Sequence, residues 1–407
     1  MKRRAFLGAA LASAAWSARG AVSPRGQGDD FDAFWRAIDT RYAYFDGAGR
    51  LRWRDVRERL RTQAPRAPSP AAFAALLDSA IAELRDDHVT LAGTGIPAAR
   101  RIPYDLDIWP RWRDGAVAIE SVRTFGDADV AGLHAGQVVT RVQDVPIESA
   151  VRERLGGRSA SVADIEWALR KVVAGPRIGT QKIEVRNGAR VETFDVERTP
   201  PAPSSAPTIL GRRMGEERDI GYIRVRVGAA QPDLAARFAG ALNHMSGTRA
   251  LILDLRDTAG PGARATTLAI LSHFARQATP WQVRQAGATP RVSDVVQPAA
   301  AGYSEPVAVL VDRWTAGEAE ALAAGLEAVA KARIIGTPMA GLRGELAEVV
   351  LPASAITVRF PAERTYSATS GAPREALKPA LAVDLAAPSG GPGDPILYQA
   401  LKLFERR

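Results

Sequence analysis

The sequence predicts an α/β protein carried behind a helical N-terminal domain and a β-rich middle segment, and three patterns predict it. From residue 208 onward, apolar runs at Ile220–Val227, Ala250–Leu255 and Val307–Val311 alternate with helical stretches near Pro232–Met245, Ala263–Arg276 and Ala316–Lys331. That alternation is the pattern of a sheet with helices packed on it. Residues 29–85 instead keep a helical period throughout. Residues 100–200 change to short alternating strands separated by glycine turns.

In the first segment Phe31, Phe34, Trp35, Ile38 and Tyr42 fall on one helical face, with Asp29 or Asp30 as the start. Ser69 followed by Pro70 is an N-cap with proline at the first helical position, and Phe73, Leu76, Leu77, Ala80, Ile81 and Leu84 continue it. An alternating segment takes over at Arg85–Leu91. In the middle segment Ala116–Ile119 and Val138–Val142 are strand-like, with the glycine-rich turn Ala131–Gln137 between them. Lys182–Val185 and Glu192–Val196 flank Asn187-Gly188, a hairpin signal. Pro200, Pro201, Pro203 and Pro207 make a linker. No repeat of 20–50 residues is present.

A length of 407 residues suggests two or three domains, and 46% hydrophobic with 24% charged residues excludes wholesale disorder. No apolar run approaches the roughly 18 residues of a membrane span. The absence of cysteine excludes disulfides, thiolate metal sites and cysteine nucleophiles. No histidine cluster has zinc-ligand spacing, and no cofactor is expected. Residues 1–20 combine Lys2, Arg3 and Arg4 with a short apolar stretch and small residues at Ala18 and Gly20, a twin-arginine-like export signal. An uncleaved anchor is the alternative, and either reading places the protein outside the cytoplasm, in a bacterial periplasm. Losing Lys2, Arg3, Arg4 and Arg19 lowers the formal charge from +9 by four to +5, spread thinly enough to exclude a nucleic-acid partner.

Three motifs in order carry a resemblance. Ala131-Gly132-Leu133-His134-Ala135-Gly136-Gln137, followed by Val138–Val145, looks like a PDZ domain. Leu251–Asp257 with Gly260 and Gly262 resembles a strand and glycine loop. Val309–Glu320 resembles the strand-to-helix elbow of tail-specific (carboxyl-terminal-processing) serine peptidases, whose PDZ domain presents substrate tails. The resemblance spans the mature chain. It implies an N-terminal helical domain at 21–98, a PDZ-like β-rich domain at 99–200 and a crotonase-like α/β catalytic domain at 205–407. It also implies a polypeptide substrate. Residues 100–200 are then expected to take an extended C-terminal peptide by strand addition, with the backbone amides around Ala131–Gln137 holding its carboxylate.

Amide cleavage needs a nucleophile, a base and oxyanion donors. The family's nucleophile is a serine three residues before a glutamate. With Glu320 as that glutamate, the position is Gly317, which has no side chain. Thr315 is the nearest hydroxyl, and two readings stand: a rearranged nucleophile or a helix cap. The lysine base of the largest branch maps onto Leu342, and the neighbouring Arg343 cannot act as a base near neutral pH. The tricorn-like branch uses histidine with a distant glutamate, and His88 and Glu375 match those positions. His88 is either that base or a local hydrogen-bonding residue. The oxyanion candidates are Gly260, Gly262 and the amide of Glu318, while Pro261 has no N–H to offer.

The resulting expectation is a serine-type peptidase-family protein acting on polypeptide tails, with a degraded catalytic site. A non-catalytic peptide-binding or scaffold protein is the main alternative, and a carrier of small hydrophobic ligands the third. The mature chain is expected to begin near Ala21. Intact-mass analysis of exported protein checks this, and retention of residues 1–20 would count against it.

Overall fold

The computed structural model describes residues 23–94, 100–157, 160–199, 207–227, 233–260, 262–387 and 393–405. The expected export signal and linker residues 200–206 lie outside the described residues. The chain divides into two compact units, residues 1–98 with 346–360, and residues 99–345 with 361–407.

In the first unit, helix α1 (Pro24–Arg41) starts at Ser23, whose Oγ accepts the Gly26 N–H at 3.1 Å, with Pro24 at the first helical position. The start therefore precedes Asp29 and Asp30. The added turn is polar and carries no apolar stripe, so cap chemistry alone marks it. Phe31, Phe34 and Ile38 of α1 are buried, as are Trp53, Val56 and Leu60 of α2 (Gly47–Leu60). Helix α3 (Pro70–Ala82) begins as its Ser69-Pro70 signal predicts, with Ser69 Oγ accepting the Ala72 N–H. Strand β1 (Thr90–Ala92) pairs antiparallel with Thr357–Arg359. The buried Asp30 carboxylate accepts the amides of Ala353 (2.9 Å) and Ser354 (2.7 Å), anchoring the returning segment.

The second unit opens with an antiparallel sheet. Its elements are β2 (Ile108–Arg113), β3 (Ala116–Val122), α4 (Asp127–Val130), β4 (Val138–Val142), β5 (Val145–Pro146), α5 (Ile147–Arg154), α6 (Val162–Ala174), β6 (Gly179–Asn187) and β7 (Arg190–Arg198). The strand order is β2-β3-β4-β6-β7, with β5 on β4. The hairpin closes at Gly188, whose φ of 60° suits a residue without Cβ. Arg198, fully buried at the end of the last strand, bonds Asp107 (2.6 Å) just before the first strand and the Val173 carbonyl (3.1 Å) of α6.

The remaining elements are β8 (Ile209–Met214), β9 (Ile220–Val225), α7 (Leu234–Asn243), β10 (Ala250–Asp254), α8 (Arg264–Ser272), β11 (Thr279–Ala286), β12 (Val292–Val296), β13 (Val307–Val311), α9 (Glu318–Ala330), β14 (Arg333–Gly336), β15 (Glu345–Val350), β16 (Thr357–Ser367), β17 (Leu381–Ala382) and α10 (Pro395–Leu403). Of these, β15 after Glu345 and β16 up to Phe360 belong to the first unit, and the others build an α/β arrangement in the second. The main sheet runs β17-β14-β13-β10-β9-β8, parallel except for the antiparallel edge strand β8. Strands β10 and β13 are buried at every residue, which is why they are unbroken apolar runs. Leu251, Leu253, Val307, Val309 and Val311 pack with residues of α7, α8 and α9. Ile252, Ala308 and Leu310 face Ile396 and Ala400 of α10. The carboxyl ends of β10 and β13 lie side by side, the place where open parallel sheets hold ligands.

A buried ion network fixes the end of β10. Arg256 spans both oxygens of the fully buried Asp254 (2.9 and 2.7 Å) and reaches Asp394 (2.7 Å), which caps α10. Tyr222 donates its hydroxyl to the same Asp254 at 2.7 Å, and burial raises its pKa. Arg256→Met is expected to leave Asp254 buried without its charge partner and to cost about 3–5 kcal/mol. A urea unfolding midpoint measures this, and an unchanged midpoint would contradict it.

Candidate active site

Six residues, 312–317, join β13 to α9. The Asp312 carboxylate shapes the first half of this elbow, accepting the backbone N–H of Trp314 at 2.9 Å and of Asp257 at 3.1 Å. It thereby ties the turn after β10 to the turn after β13. Burial pushes its carboxyl up to about 6.

Thr315 comes next and is fully buried. Its hydroxyl donates to the Leu255 carbonyl at 2.9 Å and accepts the Asp312 N–H at 3.0 Å, with Asp312 Oδ1 3.2 Å away. Thr315 is not the helix cap that one reading of the sequence expected; that position is Gly317. The reason is that the chain still has to turn at Gly317 before the helix can begin. Gly317 has φ 58° and ψ −113°, a conformation costly for residues with a Cβ. A Cβ at 317 would nevertheless have room, since the nearest atom is the Gly260 carbonyl oxygen at 3.9 Å. Beyond its two chain neighbours, the nearest group to the nucleophile position is thus an acceptor.

Glu320, one turn into α9, is buried and gathers the backbone amides around it. Its carboxylate accepts N–H groups from Gly317 (2.8 Å), Gly341 (2.8 Å) and Leu342 (3.2 Å). Burial raises its pKa to about 7, against the pull of Arg374 and these amides. Glu318 accepts the Thr267 hydroxyl at 2.7 Å, and burial together with the Glu345 charge raises its pKa. Its amide lies in the first turn of α9 and has no intrahelical partner. Gly262 packs so closely here that a Cβ would fall 2.5 Å from Glu318 Cβ. Pro261 lies outside the described residues.

Leu342, where the family's lysine would stand, packs with Ala340 against a small apolar cluster of Ala259, Trp314 and Ala316. Glu375 sits half-buried in the single turn Arg374–Ala376, with its carbonyl 3.2 Å from where a Cβ on Gly341 would be. His88 belongs to the first unit, in the turn before β1, and donates its backbone N–H to Asp86 Oδ1 at 2.9 Å. Among the described residues no group of three or more His, Asp and Glu is arranged to hold a metal ion. No helix among them is long and apolar enough to cross a membrane.

At the turn Ala131–Gln137, expected to hold a substrate carboxylate, five of the seven backbone amides are bonded within the protein. The amides of Ala131, Gly132 and Leu133 bond the carbonyls of Asp127, Asp129 and Ala128. The His134 amide bonds Gln137 Oε1, and the Gly136 amide bonds the Ile119 carbonyl. Folding back of α4 and the burial of Gln137 use these donors internally, so they are not available to a ligand.

The sequence motifs did not single out Asp312, Arg313, Glu320's amide contacts or Arg374. Arg374 is buried and bonds Glu345 and the Gly344 carbonyl, both at 3.0 Å. The one available signal was a charged pair, Asp312-Arg313, directly after a wholly apolar strand.

Strand, elbow and helix together define an α/β protein with a strand-to-helix elbow at the carboxyl end of its parallel sheet. Residues 219–379 match the model of peptidase family S41, and the resemblance to the tail-specific serine peptidases holds on that segment. No curated protein matches the chain. Among solved structures, the photosystem II D1 C-terminal processing protease is similar at 18% identity and TM-score 0.53, over 88% of this chain and 93% of that one. Mature CPAF is similar at 14% identity and TM-score 0.56, over 88% and 92%. A lipoprotein from Streptococcus agalactiae is similar at 11% identity and TM-score 0.50, over 93% and 95%. At these identities the likeness is one of fold.

The two raised carboxyls, Asp312 and Glu320, set the sign of a pH dependence. A group whose folded pKa exceeds its unfolded value stabilises most below the unfolded value, and loses that contribution as pH rises through the folded one. Wild-type melting temperature is therefore expected to fall between about pH 4 and 7. Glu320→Gln should flatten that slope, because the amide does not titrate. It should also cost about 1–3 kcal/mol at the upper end of the range, where the ionised carboxylate offers two acceptor oxygens to the three N–H donors and the amide only one. Calorimetry of both proteins across that range decides the point.

Proposed function

We propose that this protein is a non-cutting member of the peptidase fold, one that holds polypeptide tails at the elbow outside the cytoplasm. The observation that carries the reading is that the elbow's only hydroxyl, Thr315, is buried and bonded to Leu255, while Gly317 stands at the position of attack. Glycine has nothing to attack with, and Leu342 supplies no base. His88 and Glu375 then have no nucleophile to serve. The finer features implied by the resemblance belong to the same reading: helical 21–98, PDZ-like 99–200, crotonase-like 205–407 and export by residues 1–20.

The match to peptidase family S41 favours a second reading, an active serine-type peptidase with Thr315 as nucleophile. One experiment separates the two. Full-length protein is incubated with an unfolded protein and with free-acid peptides, cleavage is followed by mass spectrometry, and binding by fluorescence anisotropy. Binding without cleavage above background is expected, since loss of an essential nucleophile leaves at most about 10³–10⁴-fold over water. Cleavage that disappears in Thr315→Ala would establish the second reading.

A further inference from the structure

The elbow does not stand by itself in the second unit; it is docked on the antiparallel sheet of residues 100–199. Arg313, buried although charged, pairs with Glu120 of β3 at 2.5 Å and donates to the Met339 carbonyl at 3.0 Å. Its guanidinium carbon lies 5.0 Å from the centre of the Trp109 ring of β2. Trp314, the next elbow residue, donates its indole N–H to the Leu106 carbonyl at 2.6 Å and meets Trp109 edge to face at 6.4 Å. Arg123, at the end of β3, pairs with Asp257 at 2.6 Å, and the Asp257 amide in turn bonds Asp312. Three separate links therefore end on elbow residues or on the turn that Asp312 holds.

These links have the character of a core and not of a hinge. Leu106, Trp109, Arg313 and Trp314 are all buried, so their polar atoms have exchanged water for one another. Breaking such contacts leaves a buried guanidinium and a buried indole N–H unpaired. Modules free to move relative to each other are joined instead by smaller, wetter surfaces. Strand β2, an edge strand of its sheet, also packs its side chains against α6. Arg111 on it is within 3.6 Å of Glu166 on α6, and Arg170 of α6 lies 5.5 Å from the Trp109 ring.

We propose that residues 100–199 act as a fixed clamp on the elbow, with Arg313 and Trp314 as the positioning residues, and not as a mobile presenter of tails. The clamp holds Asp312, Thr315 and Gly317 in their observed arrangement from outside the α/β sheet. It stands whether or not the elbow binds polypeptide, so its test does not use a ligand.

Hydrogen–deuterium exchange on full-length protein tests it, comparing wild type with Glu120→Gln and Trp314→Phe. The second variant keeps an aromatic ring but loses the N–H that reaches Leu106, together with part of the buried indole. Amides of residues 312–320 are expected to exchange at least about tenfold faster in both variants, equivalent to about 1.4 kcal/mol. Amides of β10 and β13 should keep their wild-type protection. Unchanged elbow exchange in both variants overturns the proposal. Equal loss of protection in β10 and β13 overturns it too, because the contacts would then support the whole fold. A wild-type melt in which residues 100–199 unfold as a separate, earlier step would also refute a fixed clamp.

Discussion

A single buried carboxylate holds the two loops of the candidate site together. Glu320 is a carboxyl group where water cannot reach it, so its oxygens have to be met by fixed donors. The donors come from Gly317 in the elbow and from Gly341 and Leu342 in the loop after β14. Each loop is held by the same group, and neither can relax without stranding it. Arg374 adds a compensating charge from a third segment, close enough to pull against the effect of burial. The positive φ of Gly317 is one that glycine adopts without penalty, and these contacts select it from the many open to that residue.

The same polar groups that shape the elbow are thereby removed from chemistry. Asp312 is occupied by the amides of Asp257 and Trp314, and the Thr315 hydroxyl by Leu255 and Asp312. Catalytic elbows lift a free hydroxyl to the start of a helix; here that place belongs to a glycine. The fold is shared with a solved C-terminal processing protease, while Asp312 and Thr315 form hydrogen bonds that hold backbone. That outcome fits a protein that keeps a shape to bind with, and it explains why family resemblance and site chemistry point in different directions.

Much of the fold was readable one segment at a time. Ser69-Pro70 begins α3, the Asn187-Gly188 signal marks the β6–β7 hairpin, and the apolar runs at 250–255 and 307–311 are buried parallel strands. Each of these signals is local: a cap, a turn, or burial on both faces. The start of α1 was misjudged because its first turn is polar, and only the Ser23-Pro24 cap reveals it. Helix α6 was legible too, from a capping box in which Ser161 and Asp164 exchange bonds at 3.2 and 3.0 Å and from an apolar stripe at Ile165, Ala168, Leu169, Val172 and Val173. Strands β11, β12 and β16 gave no comparable signal, since their pairing depends on partners far along the chain.

For the site, the sequence by itself determined where the elbow falls, that Gly317 has no nucleophile and that Leu342 has no basic group. Those are properties of residue identity, and no fold can change them. Tertiary structure alone decided what the remaining polar residues do. Thr315 became a buried brace instead of a cap, the amides of Ala131–Gly136 closed on their own neighbours, and Arg313 and Trp314 turned toward Glu120 and Leu106 nearly two hundred residues away. The physical reason is that a hydrogen-bonding group is defined by its partner. Those partners are brought within 3 Å only when the parallel sheet and the antiparallel one have both formed.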